Sequence, residues 1–318
     1  MQRRTGIPSE GGCVGMMQQT IWGKTFKNPI VAASGTFGFG SEYNEFYDIS
    51  NLGGISTKGL TLEPRDGNSG IRIIETPSGI MNSIGLQNPG VKDYILHESH
   101  FLREKDTVIL ANVGGSTLES YLEALELLEE HNKTHRVMDI IELNISCPNV
   151  KAGGMAFGMN ACDAEYITKE AKKITSIPLV VKLSPNAHHL VEVAQAVESA
   201  GADGLSLVNT FNALEIDIHR RKAVFDNVTA GLSGPAIRPI ALRMVREVSK
   251  AVSIPVIGMG GVETWEDVIK FIMAGAHLVQ FGTASFINPM AGLELVEGVE
   301  RYMKENQIRS FDEIRGII

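Results

Sequence analysis

Short apolar runs alternate along this chain with longer segments of helical periodicity. The runs are PIVAA (29–33), GGIST (53–57), TVILANV (107–113), DIIELNI (139–145), PLVVKL (178–183), GLSLVN (204–209), PVIGMGG (255–261) and HLVQFG (277–282). They are too apolar to alternate inside and outside, as expected of parallel strands buried on both faces. Between them lie amphipathic patterns such as LESYLEALELLEEH (118–131), HLVEVAQAVESAG (189–201) and TWEDVIKFIMAGA (264–276). The last two end in Ala-Gly-Ala, where glycine is a good left-handed helix stop. Eight such units in one unbroken series predict an α/β fold, a closed (β/α)8 TIM barrel, over its doubly wound rival.

About fifty residues separate the starts of runs two and three, and a similar number separates runs six and seven. Both insertions follow a strand, on the face where barrel enzymes place their sites. They are rich in Gly and Asn and read as lids or substrate loops rather than helices.

Side chains at the ends of the runs converge on one mouth. They are Ala33-Ser34-Gly35-Thr36, Thr57-Lys58, Asn112, Asn144-Ile145-Ser146-Cys147-Pro148-Asn149, Lys182, Asn209-Thr210, Gly260-Gly261 and Gly282-Thr283. The glycines after runs seven and eight either make tight turns or let backbone N–H groups approach a phosphate, and each motif alone supports both readings equally. GTFGFG (35–40) has the wrong spacing for a dinucleotide fingerprint, so a nicotinamide site in this chain is unsupported.

A lone lysine is usually a solvated surface residue. Two at convergent strand ends, Lys58 and Lys182, favour an anion or an electron-rich cofactor ring, with a Schiff-base lysine as the rival role. A cysteine is more often a small buried hydrophobe than a catalyst. Cys147 differs in standing among Asn144, Ser146, Pro148 and Asn149 at a strand-to-loop junction. A thiol with an ordinary pKa of about 8.5 becomes a base near neutrality after a modest shift. Asn82, in MNSIGLQN (81–88), offers an amide that suits an imide or amide ring, against the plainer reading of turn chemistry. His188-His189 are adjacent and make a poor metal pair, His219-Arg220-Arg221-Lys222 reads as a solvated loop, and Cys13 and Cys162 as inert.

Composition narrows the classes. In 318 residues, 43% are hydrophobic, enough for a substantial core. The net charge is −8 with no basic run, which leaves no electrostatic footprint for nucleic acid. No stretch reaches the roughly 18 uninterrupted apolar residues of a spanning helix, which excludes an integral membrane protein. Three scattered cysteines fit a reducing, cytoplasmic compartment, and without a C-x-x-C this chain is not expected to hold zinc or an iron–sulfur cluster. Residues 1–18 lack a signal-peptide core and read as a flexible extension, with Met16 or Met17 as an alternative start, ahead of one domain over 19–318.

Taken together, these residues resemble dihydroorotate dehydrogenase, the flavin enzyme of pyrimidine biosynthesis. The matching segments are NPIVAASGTFGFG (28–40), GGISTKGLTLEPR (53–65), GIMNSIGLQNPG (79–90), ELNISCPNVKAGG (142–154), VVKLSPN (180–186), SLVNT (206–210), GLSGPAIRP (231–239), VIGMGGV (256–262) and VQFGTASF (279–286). Cys147 in the base position looks like class 1. GLQNPG, SCPNVKAGG and GLSGPAIRP look more like subclass 1B than the fumarate-using homodimers of 1A. Subclass 1B implies an FMN-bearing homodimer paired with a second subunit that carries FAD and a [2Fe–2S] cluster and passes electrons to NAD+.

The resemblance also implies roles. Cys147 would take a proton from C5 of dihydroorotate while a hydride leaves C6 for FMN, giving orotate. Lys58 would contact both flavin and substrate. Asn82, Asn144, Asn149, Asn209 and Thr210, with the backbone of Ile84, Gly85 and Leu86, would hold the orotate ring. FMN would lie against Ala33, Ser34 and Val208, with Thr57, Asn112, Asn144 and Lys182 at its edges. Its phosphate would rest on Gly234, Gly260, Gly261, Gly282 and Thr283. The rivals are a fumarate-dependent class 1A enzyme, a Schiff-base barrel aldolase or isomerase on Lys58 or Lys182, and a catalytically silent subunit, the last opposed by Cys147 and Lys58 together.

Overall fold

The structure, a computed structural model, describes residues 15–146 and 157–318. Each of the eight apolar runs becomes a strand: β1 (Ile30–Ala32), β2 (Gly54–Ser56), β3 (Val108–Val113), β4 (Ile140–Asn144), β5 (Leu179–Lys182), β6 (Gly204–Leu207), β7 (Val256–Met259) and β8 (Leu278–Phe281). Each pairs in parallel with the strands before and after it, and β8 returns to β1 through Val279 opposite Ile30, closing the barrel. All eight strands are buried along their whole length, because helices cover their outer faces and side chains fill the interior.

The helical patterns hold as well. They give α1 (Leu118–Asn132), α2 (Ala161–Ile174), α3 (Leu190–Ser199), α4 (Arg238–Ser249), α5 (Trp265–Met273) and α6 (Ala291–Glu305). Thr117 and Thr264 close capping boxes at the starts of α1 and α5, satisfying N–H groups that a first turn leaves bare. Gly201 and Gly275 follow α3 and α5 at φ +95° and +112°, the left-handed stops expected of those glycines.

A hairpin, Gln19–Ile21 paired with Lys24–Phe26, plugs the lower end of the barrel. Its Ile21 and Phe26 join Val31, Leu110, Ile140, Val180, Ile257 and Leu278 in one apolar cluster, with Trp22 packed against it. The Trp22 indole donates to the Asp203 carbonyl at 2.6 Å, so the plug is pinned as well as packed. Met17, just ahead of the hairpin, is buried in the main core. Most of the extension, residues 1–14, lies outside the described residues.

The two insertions are more ordered than loops. From the first come strands Ile73–Thr76 and Gly79–Asn82, and from the second Phe211–Leu214 and Thr229–Ser233. They form one antiparallel sheet, with Asn82 opposite Gly231 where the two insertions meet. Alternating exposure along Ile73–Thr76 and Phe211–Leu214 is the period-2 signature of such a sheet. It closes on a small core of Met81, Phe225 and Ala230. Beyond Asn88-Pro89 the first insertion turns helical, through Val91–Asp93, a π turn at Tyr94–Glu98 and Ser99–Arg103. Asn88 makes that switch: its side-chain oxygen accepts from the N–H of Gly90 at 2.9 Å and of Thr61 at 3.1 Å. Among the described residues no helix is long and apolar enough to cross a membrane.

Candidate active site

The shared sheet roofs a cleft of about 480 Å³ at the carboxyl ends of the barrel strands, within the range of a cofactor site. Ala33 and Ser34 after β1, Lys58 after β2, Asn144 and Lys182 ending β4 and β5, and Val208, Asn209 and Thr210 after β6 line it. So do Gly260 and Gly261 after β7 and Gly282 and Thr283 after β8, while Asn82, Ile84, Gly85 and Leu86 come from the roof. Gly234 lines a small adjoining cavity together with Gly261, Gly282 and Thr283. Thr57 and Asn112 do not reach the cleft; both are fully buried beneath it. Cys147 and Asn149 lie outside the described residues.

Under the cleft runs one chain of hydrogen bonds. Asn209 Nδ2 donates to Ser146 Oγ at 2.6 Å, and Ser146 Oγ donates to Asn144 Oδ1 at 2.6 Å. Asn144 Nδ2 donates to Asn112 Oδ1 at 3.3 Å, and Asn112 Nδ2 to Glu142 Oε2 at 2.6 Å. The Glu142 carboxylate also accepts from Ser56 Oγ at 2.6 Å and from Gln280 Nε2 at 2.9 Å. The Tyr121 hydroxyl of α1 donates to the Asn144 carbonyl at 2.8 Å and fixes the end of β4. Asn209 Oδ1 takes the Thr210 N–H at 2.7 Å, so Asn209 is held at both ends. Sequence inspection of strand ends missed Glu142, Ser56 and Gln280. The available signal was a polar residue inside an otherwise apolar run, as in DIIELNI and HLVQFG.

The two lysines have different surroundings. Lys182 is almost wholly buried, one rung above Glu142, in register with Asn144 on one side and Ser206 on the other. Glu142 is fully buried, which by itself pushes its carboxyl up. The Lys182 charge and the hydrogen bonds from Ser56 and Asn112 outweigh this and hold it below the usual carboxylate range. The carboxylate is therefore ionised. Lys58 is half-buried, and burial, reinforced by the positive charge of Arg72, lowers its pKa from the ordinary lysine value. Among the described residues it has no ion pair. Such an ammonium invites an anion.

The turns after β7 and β8 are built for close approach. Gly261 sits at φ +75°, and a Cβ there would lie 2.7 Å from the Gly234 carbonyl oxygen and 2.8 Å from Arg238 Cβ. Only glycine fits. Its N–H and that of Thr283 donate to no described acceptor, which leaves both free for an anion beside the small cavity. Gln280 Oε1, deep in the barrel, is likewise buried without a partner among the described residues.

The remaining candidates stand apart. Cys162 is exposed on α2, and His189 caps α3 at the surface. His219-Arg220-Arg221 forms an exposed tip between the paired strands Ile216–Asp217 and Lys222–Ala223. No group of three or more metal-ligating side chains occurs among the described residues.

The profile of the dihydroorotate dehydrogenase family matches residues 16–303. A protein of Petrotoga mobilis named dihydroorotate dehydrogenase B (NAD(+)), catalytic subunit, is 57% identical over 298 residues, covering 94% of this chain and 98% of that protein. Proteins of the same name from Alkaliphilus metalliredigens and Bacillus pumilus are 49% and 48% identical, covering 94% and 95% of this chain and 98% and 96% of their own.

The proton of Lys58 is disfavoured in the folded chain, so between the folded and unfolded pKa the unfolded state binds more protons and stability rises with pH. Lys58→Met is therefore expected to stabilise the ligand-free protein by about 1 kcal/mol at pH 7 in denaturant unfolding. The gain should shrink as pH approaches 10, where the wild-type ammonium gives up its proton. A variant less stable than wild type at pH 7 contradicts this reading.

Proposed function

The chain belongs to the dihydroorotate dehydrogenase family, and from that premise we propose that it is the catalytic subunit of the NAD+-linked, two-subunit form of the enzyme. It oxidises (S)-dihydroorotate to orotate in de novo pyrimidine biosynthesis. The observation that carries the reading is the convergence of a lysine with no ion pair among the described residues, a set of oriented amides and a glycine cradle in one roofed cleft. The name borne by the Petrotoga mobilis protein and its counterparts supports the assignment to the B form.

FMN fits the residues present. The free N–H groups of Gly261 and Thr283, with Gly234, Gly260 and Gly282, suit its phosphate. Ala33, Ser34 and Val208 would offer a wall for the ring system, and Lys182 and Asn144 would hold its polar edge, with Thr57 and Asn112 buried below them. When bound, the flavin supplies the two-electron acceptor that no side chain of this chain provides.

The chain's own residues do the rest. Lys58 neutralises the carboxylate of the substrate. Asn82, Asn144, Asn149 and Asn209 match the donors and acceptors of an imide ring, and Thr210 with the backbone of Ile84, Gly85 and Leu86 closes around it. Asn144 and Asn209 each keep one amide N–H beyond the bond that holds them, so they are oriented before the substrate arrives. Cys147 takes the proton from C5. The shared sheet covers the mouth and keeps bulk water from the reacting atoms.

Electrons then leave through a second subunit carrying FAD and a [2Fe–2S] cluster, in a heterotetramer built on a dimer of this barrel. Support comes from the absence of a dinucleotide fingerprint and of a C-x-x-C in this sequence. The few scattered cysteines favour the cytoplasm.

Two outcomes test this. Cys147→Ser should retain FMN yet slow flavin reduction by dihydroorotate about 10²- to 10⁴-fold near neutral pH, because a hydroxyl is a far weaker base; unchanged rates in anaerobic stopped flow remove Cys147 from the mechanism. The isolated chain should pass electrons from dihydroorotate to an artificial dye but not to NAD+ or fumarate. Fumarate turnover by the chain alone would assign it to the homodimeric form instead.

A further inference from the structure

Four charged side chains are buried among the described residues: Asp139, Glu142, Lys182 and Asp267. Asp139 pairs with Arg136 and lies 3.6 Å from Lys24. Asp267 pairs with Arg238 at 2.9 Å and Lys270 at 3.0 Å. Glu142 and Lys182 are left to each other, Glu142 inside the barrel below the cleft and Lys182 in the cleft's lining. They do not touch: no ion pair within contact distance joins them, and the carboxylate is held by three neutral donors from β2, β3 and β8. The remaining polar groups at this level, Asn144 and Ser206, are also neutral. The other lysine of the cleft, Lys58, faces Arg72 and no acid.

A carboxylate so fixed is not needed to hold Lys182 in place by contact. It acts on the cleft through its charge. We propose that Glu142 is a positioning residue for the cofactor chemistry: a fixed negative charge that offsets the field of Lys182 at the polar edge of the flavin and so lowers the flavin's electron affinity. This deepens the FMN reading given above and rests on it. A bare ammonium at that edge stabilises the reduced, anionic ring and raises the potential; an anion one rung deeper opposes it. The Lys182 charge and the hydrogen bonds from Ser56 and Asn112 hold the Glu142 carboxyl below the usual carboxylate range, which favours the charged form.

Sulfite, which binds oxidised flavins more tightly as their potential rises, is the probe. With the FMN-loaded full chain at pH 6, Glu142→Gln should bind sulfite at least tenfold more tightly than wild type. For a two-electron couple, tenfold corresponds to a rise of about 30 mV in midpoint potential, which dye equilibration reads independently. Glu142→Asp keeps the charge and should stay within about threefold of wild type. An unchanged sulfite affinity and potential in a folded, FMN-bound Glu142→Gln overturns the inference and leaves the FMN reading standing. A chain that takes up no FMN overturns both. If Glu142→Gln does not fold, the double variant Glu142→Gln/Lys182→Met replaces it, because removing both members of a buried charge pair is tolerated where removing one is not. A folded, FMN-bound double whose sulfite affinity stays within about threefold of wild type supports the offset of one charge by the other; a shift of tenfold or more, or failure to fold as severe as that of the single, overturns the proposal.

Discussion

A carboxylate without access to water has to find its donors inside the protein, and Glu142 finds them on three different strands. An ionised carboxyl accepts only, so the chain of hydrogen bonds that ends on it can run in one direction. Asn112 must present its Nδ2 to Glu142, which leaves its oxygen for Asn144. Asn144 must then turn its oxygen to Ser146, whose own oxygen receives Asn209. The buried charge thereby fixes the amide of Asn112 directly and agrees with the setting of every amide up to the floor of the cleft. Backbone donors reinforce the same settings, the Ser146 N–H on Asn144 Oδ1 and the Thr210 N–H on Asn209 Oδ1, so the amides are oriented before any ligand arrives.

The barrel makes that arrangement affordable. Parallel strands buried on both faces bring inward side chains from neighbouring strands to one level, as the register of Asn112 with Glu142 and of Asn144 with Lys182 shows. A hairpin closes the lower end with apolar side chains, and a sheet made from two distant insertions covers the upper one. Polar chemistry is confined to the layer between. The same enclosure that makes a lone charge costly there also magnifies what a placed charge does to a bound ring.

Much of this was legible in the amino-acid order. The eight strands follow the eight apolar runs because burial on both faces leaves no room for alternation, and Gly201 and Gly275 end their helices as their Ala-Gly-Ala contexts required. The strand ends named most of the cleft, since closure makes them converge. Three things escaped. The insertions read as loops because their strands are short and find partners about 150 residues away, as Asn82 does in Gly231. Thr57 and Asn112 stand at strand ends yet lie below the cleft, which depends on stagger rather than order. Glu142 and Gln280 sat inside apolar runs, where the runs themselves drew attention away from the polar residue.

The most direct measurement is the visible spectrum of the purified chain under anaerobic conditions, before and after dihydroorotate is added. The account predicts a yellow protein whose flavin absorbance bleaches on addition of the substrate. A yellow protein left unchanged contradicts the assigned substrate, and one that stays colourless after incubation with FMN contradicts the flavin site itself.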